Sequence, residues 1–262
     1  MVKAMFRYLL PALLCIPMLQ AAAQQRPVKR GKTGYPALPV HIRFINTVNH
    51  QPLVLQDSVY TNPFGENYTV SRFKYYISNI ELNGPKVHFA EKNSYHLLDA
   101  QDSSTLQIRL KPGRQSYTSI SFLIGVDSAR NVSGIQGGDL DPAKDMFWTW
   151  KSGYIMAKLE GRSPLSTAPN QRIEYHIGGY GGEHNSIRKI MLLFPEKDNQ
   201  LFVSSASLEL EIEADIQQWW NSSSPLRIKE TPVCAVPGED AKRIADNYAN
   251  LFSLKSYRLL IQ

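Results

Sequence analysis

Two tryptophans, Trp148 and Trp150, stand two residues apart in the stretch Asp139-Leu-Asp-Pro-Ala-Lys-Asp-Met-Phe-Trp-Thr-Trp-Lys-Ser-Gly-Tyr154. In an extended strand, side chains two apart share a face. The two indoles would then lie side by side, next to a loop rich in Asp and Gly. Such a pair is either a layer of a packed core or an aromatic site that meets a sugar ring, a metal or a redox partner. The second chemically loaded segment is Glu174-Tyr-His-Ile-Gly-Gly-Tyr-Gly-Gly182. His176 ends a strand-like run there and faces a loop with four glycines, which lets another group come close to the backbone. A lone histidine is most often a satisfied polar residue. As a neutral imidazole it also suits copper, zinc, iron or nickel. His184, eight residues on, is the nearest second ligand in sequence.

A third segment runs from Gly125 to Asp141. Asp127, Asn131, Asp139 and Asp141 carry hard oxygens of the kind that calcium takes. Their spacing is not that of an EF-hand loop, and turns in which Asx side chains bond their own backbone account for the same residue types. His41, His88 and His96 fall in strand-like segments without ligand spacing. No Gly-x-Ser-x-Gly, His-Glu-x-x-His or Gly-x-x-x-x-Gly-Lys pattern occurs. No catalytic constellation is visible, and the chain reads as a binding protein rather than an enzyme.

Short strand candidates are what must position these residues. Val40–Ile45 alternates apolar and polar, with Val40, Ile42 and Phe44 facing in. Tyr68–Leu82 is β-branched and aromatic and is expected to hold two strands. Asn83-Gly84-Pro85 turns the chain, and Lys86–Phe89 continues it. Leu106–Leu110, Tyr117–Val126, Tyr154–Glu160, Arg172–Ile177, Lys189–Phe194 and Leu208–Ile212 complete the series. Turn residues between them predict an all-β fold, an antiparallel β-sandwich. The last predicted element is a short C-terminal helix. Ala241, Ile244, Ala245, Tyr248, Ala249 and Phe252 form one apolar stripe, with Asp240 as its N-cap. This helix is expected to cover an open end or edge of the sandwich.

The start of the chain reads differently. Lys3 and Arg7 precede an apolar run from Tyr8 to Leu19, and Ala21-Ala22-Ala23 offers a cleavage site, so residues 1–23 read as a signal peptide. Cys15 lies inside the apolar run, without the small residues that precede a lipid-attachment cysteine. Residues 24–38 read as a flexible basic lead-in, and 39–262 as one domain. Export to the periplasm, the outer-membrane surface or the medium is expected. The apolar run is too short to span a bilayer. Six of the 29 basic residues precede Thr33, so the other 23 balance the 23 acidic ones. That removes the case for a nucleic-acid partner. Cys234, alone after cleavage, reads as a small buried apolar residue.

Several segments, in order, resemble the MbnP-like copper-binding family, secreted proteins linked to methanobactin operons. They are Phe73-Lys-Tyr-Tyr-Ile-Ser-Asn-Ile80, Gly125-Val-Asp127 with Asn131, Leu140-Asp-Pro142, Met146-Phe-Trp-Thr-Trp-Lys-Ser-Gly-Tyr154 and Tyr175-His-Ile-Gly178. The set is most similar to a Bacteroidetes-type branch. The resemblance implies a β-sandwich that binds copper outside the cytoplasm. It further implies a tryptophan oxidised to kynurenine, made by a partner dihaem enzyme of the MbnH type, with copper held by histidine and the modified residue. Carried onto this chain, His176 is the candidate ligand and Trp148 or Trp150 the candidate modified residue. His184, His96 or His41 would supply a second histidine. Relatives with the modification tend to carry a Cys-containing loop after the histidine, whereas Gly178-Gly-Tyr-Gly-Gly182 has none. The alternative is a cell-surface binding or adhesion module for glycan or protein, which keeps the sandwich without copper.

Overall fold

The computed structural model describes residues 37–149, 151–195 and 205–261. Trp150, Cys15, the signal peptide over 1–23 and most of the basic lead-in lie outside the described residues. The strands are β1 (Val40–Val48), β2 (Gln51–Pro52), β3 (Tyr60–Thr61), β4 (Asn67–Gly84), β5 (Val87–Ala90), β6 (Tyr95–Asp99) and β7 (Gln107–Leu110). They continue as β8 (Ser119–Ile124), β9 (Phe147–Thr149), β10 (Gly153–Arg162), β11 (Arg172–Gly178) and β12 (Arg188–Leu193). The last three are β13 (Ser205–Asp215), β14 (Val233–Cys234) and β15 (Phe252–Ile261).

Two curled sheets face each other. The larger has the order β12-β8-β4-β10-β11-β14, with β3, β5 and β6 added to β4 and β9 added to β10. The smaller has the order β15-β13-β1-β2, with β7 also on β1. Most ladders are antiparallel, and two, β1–β13 and β11–β14, are parallel. Alternation explains which side of each strand turns inward. In β1, Val40, Ile42 and Phe44 are buried while His41 and Arg43 are exposed. Phe73 and Tyr75 of β4 and Ile173, Tyr175 and Ile177 of β11 meet them from the larger sheet. Each such side chain withdrawn from water contributes about 1.5–3 kcal/mol.

A second apolar cluster forms on the outer face of the larger sheet. Tyr76, Leu97, Val126, Leu140, Met146, Tyr154, Ile155 and Met156 are buried there, and Phe147, Trp148 and Tyr180 pack against them. This cluster pins the long connection between β8 and β10, which carries Trp148, down onto the sheet.

Three sequence expectations change. The segment expected to hold two strands is one 18-residue strand, β4. It bends at Asn79 (φ 51°), where its register with β8 shifts between Ser78 and Glu81. The C-terminal helix is Glu239–Tyr248, with Gly238 at its N-cap; Asp240 lies in its first turn, where a negative charge suits the positive helix end. Phe252, counted in the helical stripe, opens β15 instead. The helix buries Ala241, Ile244, Ala245 and Tyr248, with the Tyr248 and Trp219 rings 5.8 Å apart.

Candidate functional site

Adjacent strands β4, β10 and β11 present their polar side chains on the outer face of the larger sheet. Lys158 of β10 stands directly across from His176 of β11, and Glu160 across from Glu174. On the other side Lys158 faces Lys74 and Glu160 faces Arg72, both on β4. His176 Nε2 lies 2.8 Å from Glu160 Oε1, and the histidine side chain is 17% exposed. Arg72 Nη1 donates to Glu160 Oε2 at 3.4 Å. The His176 hydrogen bond, acting against burial and aided by the His176, Arg72 and Lys158 charges, holds the Glu160 carboxyl below its usual range. Glu160 is thus a carboxylate, able only to accept.

Trp148 comes to the same face from β9. Its indole lies on Gly178, so close that a Cβ there would stand 2.5 Å from Trp148 Cζ3 and 2.9 Å from Cη2. Gly178 and His176 are two apart on β11 and share the outer face, about 7 Å along the strand. Glycine at 178 therefore leaves the space that the indole fills, beside the candidate histidine. Trp148 itself is half-buried.

A buried cation fixes the strand that bears the indole. Lys158 is 1% exposed, and its Nζ donates to Asp145 O at 2.6 Å and Asp145 Oδ2 at 2.7 Å. Asp145 ends a helical turn in the left-handed region, three residues before Trp148. Burial works to raise the Asp145 carboxyl, but the Lys158 hydrogen bond and the Lys158, Arg72 and Lys74 charges outweigh it and hold it low. Ile155 N donates to Met146 O at 2.9 Å, which ties the other side of the same turn.

His184 arrives through the glycine loop. Ser186 N donates to Gly179 O and Ser186 Oγ to Gly178 O, both at 2.9 Å, and fold the chain back on the end of β11. The His184 carbonyl lies against Gly179. His184 Nδ1 is buried without a hydrogen-bond partner. An unpartnered imidazole nitrogen is a lone pair or N–H left unused by the protein, of the type that a metal of the copper class takes. Among the described residues, no three His, Cys, Asp or Glu side chains converge on one point. The donors that this end of β11 offers are therefore imidazoles and the Trp148 position rather than a cage of carboxylates.

The remaining histidines lie elsewhere. His41 is exposed on β1, His50 is exposed after β1 with Nδ1 3.0 Å from Glu213 Oε2, His88 is exposed on β5, and His96 Nε2 lies 2.8 Å from Glu91 Oε2. The four candidate calcium residues each have a local task. Asp127 caps the turn Ser128–Asn131 and accepts from Tyr95 Oη at 2.5 Å. Asn131 Nδ2 donates to Val126 O at 2.7 Å, and its Oδ1 accepts from Tyr154 N at 2.9 Å. That Oδ1 also lies against Gly153, whose φ of 76° favours glycine. Asp139 Oδ2 accepts from Leu97 N at 3.2 Å, and Asp141 Oδ1 from Ala143 N at 2.9 Å. A separate cleft of 1040 Å³ lies on the outer face of the smaller sheet, lined by Arg43, Arg109, Glu209 and Glu211 among others. None of Trp148, His176 and His184 lines it.

Sequence reasoning passed over Glu160, Lys158, Asp145 and Gly178. A signal was present: Lys158 and Glu160 break an apolar run at a spacing of two, in step with Glu174 and His176.

The comparisons with known proteins agree with this architecture. No curated protein matches the chain. Among solved structures, MbnP from Methylosinus trichosporium superposes with a TM-score of 0.52 at 14% identity, over 78% of this chain and 82% of that one. The profile of the MbnP family matches residues 37–236, which span β1, β9, β11 and the glycine loop. With most of its length inside that match, the chain belongs to the MbnP family.

Proposed function

We propose that the protein binds one copper ion at the outer end of β11, between His176, the Trp148 position and His184. The observation that carries this reading is the placement of Trp148 on Gly178, two residues from His176 on the same sheet face. The buried, unpartnered His184 Nδ1 supports it. His176 and His184 would hold copper through imidazole nitrogen. A kynurenine derived from Trp148 would add an amine and a carbonyl, where indole has only a donor N–H. Trp150 stays in the proposal as the other candidate for modification. A dihaem partner of the MbnH type would supply the oxidation, so this chain is a binding protein and the substrate of an enzyme rather than an enzyme. Residues 1–23 act as a signal peptide in this reading, residues 24–38 as a lead-in, and copper is met in the periplasm or outside the cell. The calcium-type residues keep structural roles as caps and turn locks.

The surface-module alternative needs an exposed indole platform. Trp148 is half-buried and committed to Gly178, which favours copper. Protein purified from its native host tests the proposal. Near-stoichiometric copper by elemental analysis, lost in His176→Ala, is expected, together with a kynurenine mass on the peptide carrying Trp148. Copper at background in the native protein would overturn it.

A further inference from the structure

We infer that Glu160 is a positioning residue that fixes the tautomer of His176: it takes the Nε2 proton in a hydrogen bond and leaves Nδ1 as the nitrogen that offers a lone pair to a metal. The inference rests on the copper reading above and adds a residue to it. Three observations carry it. Nε2 of His176 and Oε1 of Glu160 are 2.8 Å apart on neighbouring strands. Glu160 is held on its other oxygen by Arg72 at 3.4 Å, so its carboxylate is turned toward His176 and kept there. Lys158, which could otherwise draw the same oxygen, stands 3.9 Å from it and spends its ammonium on Asp145.

The chemistry is that of an imidazole with two unlike nitrogens. A neutral ring has one N–H and one lone pair, and a carboxylate can only accept. The shared hydrogen bond must therefore use the ring's single N–H, and that proton sits on Nε2. The lone pair is then on Nδ1. Metal-bound histidines commonly donate their other N–H to a carboxylate, which orients the ring and makes the ligand nitrogen more basic. Glu160 has that place relative to His176. Because β10 and β11 are paired rung by rung from Ala157↔Ile177 to Arg162↔Arg172, the geometry is built into the sheet and does not wait for the metal.

The test uses two readouts. In metal-free protein labelled with ¹⁵N-histidine, long-range ¹H–¹⁵N correlation is expected to show His176 as the Nε2–H form. Glu160→Ala is expected to shift His176 toward the Nδ1–H form or a mixture. In protein from the native host, Cu(I) competition against bicinchoninate should show Glu160→Ala weaker by about 10–100-fold. Glu160→Gln, whose carbonyl can still accept, should recover part of that loss. An Nδ1–H form in the wild type, or unchanged Cu(I) affinity in Glu160→Ala, overturns the role given to Glu160. His176→Ala, run alongside, separates the two failures. If it keeps copper, the copper reading itself falls and takes this role with it. If it loses copper while Glu160→Ala does not, only the role of Glu160 falls.

Discussion

Gly178→Ala is the most direct probe of the Trp148 site. The added methyl would stand 2.5 Å from Trp148 Cζ3 and 2.9 Å from Tyr154 O. Carbon atoms in good contact sit about 3.5–4.0 Å apart. The indole must therefore retreat by about 1 Å, and the β10 backbone must give by a few tenths of an ångström. Overpacking of this size costs about 1–3 kcal/mol. Losing a glycine's freedom in the unfolded chain offsets about 0.4–1 kcal/mol of it, since Gly178 has no left-handed backbone to defend. A net loss of about 1.5 kcal/mol is expected. For a domain of this size that lowers Tm by about 3–6 °C, read by calorimetry. A double-mutant cycle isolates the cause. In a Trp148→Ala background the methyl meets no ring, so Gly178→Ala should become nearly neutral there, with a coupling of about 1 kcal/mol. Additivity within about 0.3–0.5 kcal/mol would show that the indole does not rest on Gly178, and the geometric basis of the proposed site would be lost with it.

Other perturbations follow from the same structure. Asp145→Ala strips the buried Lys158 ammonium of its nearest carboxylate, and a loss of about 2–3 kcal/mol in chemical denaturation is expected, at or below the low end for a broken buried pair because Asp145 is itself exposed. Lys158→Met removes the charge as well and should cost about 1 kcal/mol or less; equal losses in the two variants would contradict the asymmetry. His50, at the β1–β2 turn, lies 3.0 Å from Glu213 and 3.7 Å from Asp215. The Glu213 hydrogen bond first, then the Glu213 and Asp215 charges, raise its pKa above 6.5. Its contribution is then fully present below about pH 6.5 and fades as pH rises through the folded value. The Tm gap between wild type and His50→Ala should be widest near pH 6 and close by pH 9; a gap that ignores pH in that range would refute the pairing. Burial, with help from the Asp240 charge, pushes the Cys234 thiol up to about 11. Iodoacetamide at pH 8 should label it only after unfolding, and rapid labelling of the native protein would show the thiol to be open.

Much of the fold was legible because burial follows period two. Val40, Ile42 and Phe44 announce β1, and Ile173, Tyr175 and Ile177 announce β11, while β8 and β10, buried on nearly every residue, were legible as mostly apolar runs. What escaped has physical reasons. In β15, Leu254, Tyr257 and Leu259 do not alternate cleanly, because the register slips at Lys255: Glu211 pairs with Ser256 while Ile212 pairs with Leu254. A bulge of one residue hides a strand from any period-two reading. Phe252, eleven residues after Ala241, falls on the helical stripe by coincidence of period. Trp219 and Trp220 are both fully buried, with Trp220 Nε1 donating to Tyr68 Oη at 3.0 Å, yet no alternation flagged them because Trp219 ends a short helical turn and Trp220 caps it. In the site, the residue types of Trp148, His176 and His184 drew notice from sequence alone. Glu160, Asp145 and Gly178 did not, because their meaning lies in cross-strand register, which a linear pattern does not contain.

The parallel ladder between β1 and β13 has a consequence for how the molecule is made. Val40 is partnered by Leu208, and Thr47 by Asp215. The centre of the smaller sheet therefore joins segments separated by more than half of the chain, an arrangement of high contact order that folds slowly. By contrast Asp145, Trp148, Lys158, Glu160, His176, Gly178 and His184 all come from one run of about forty residues, joined by an antiparallel hairpin. During synthesis or threading of the chain, the proposed metal platform can be complete in sequence while β1 still waits for its partner. Any modifying enzyme thus has two substrates to choose from in time, an early nascent hairpin and a late closed sandwich.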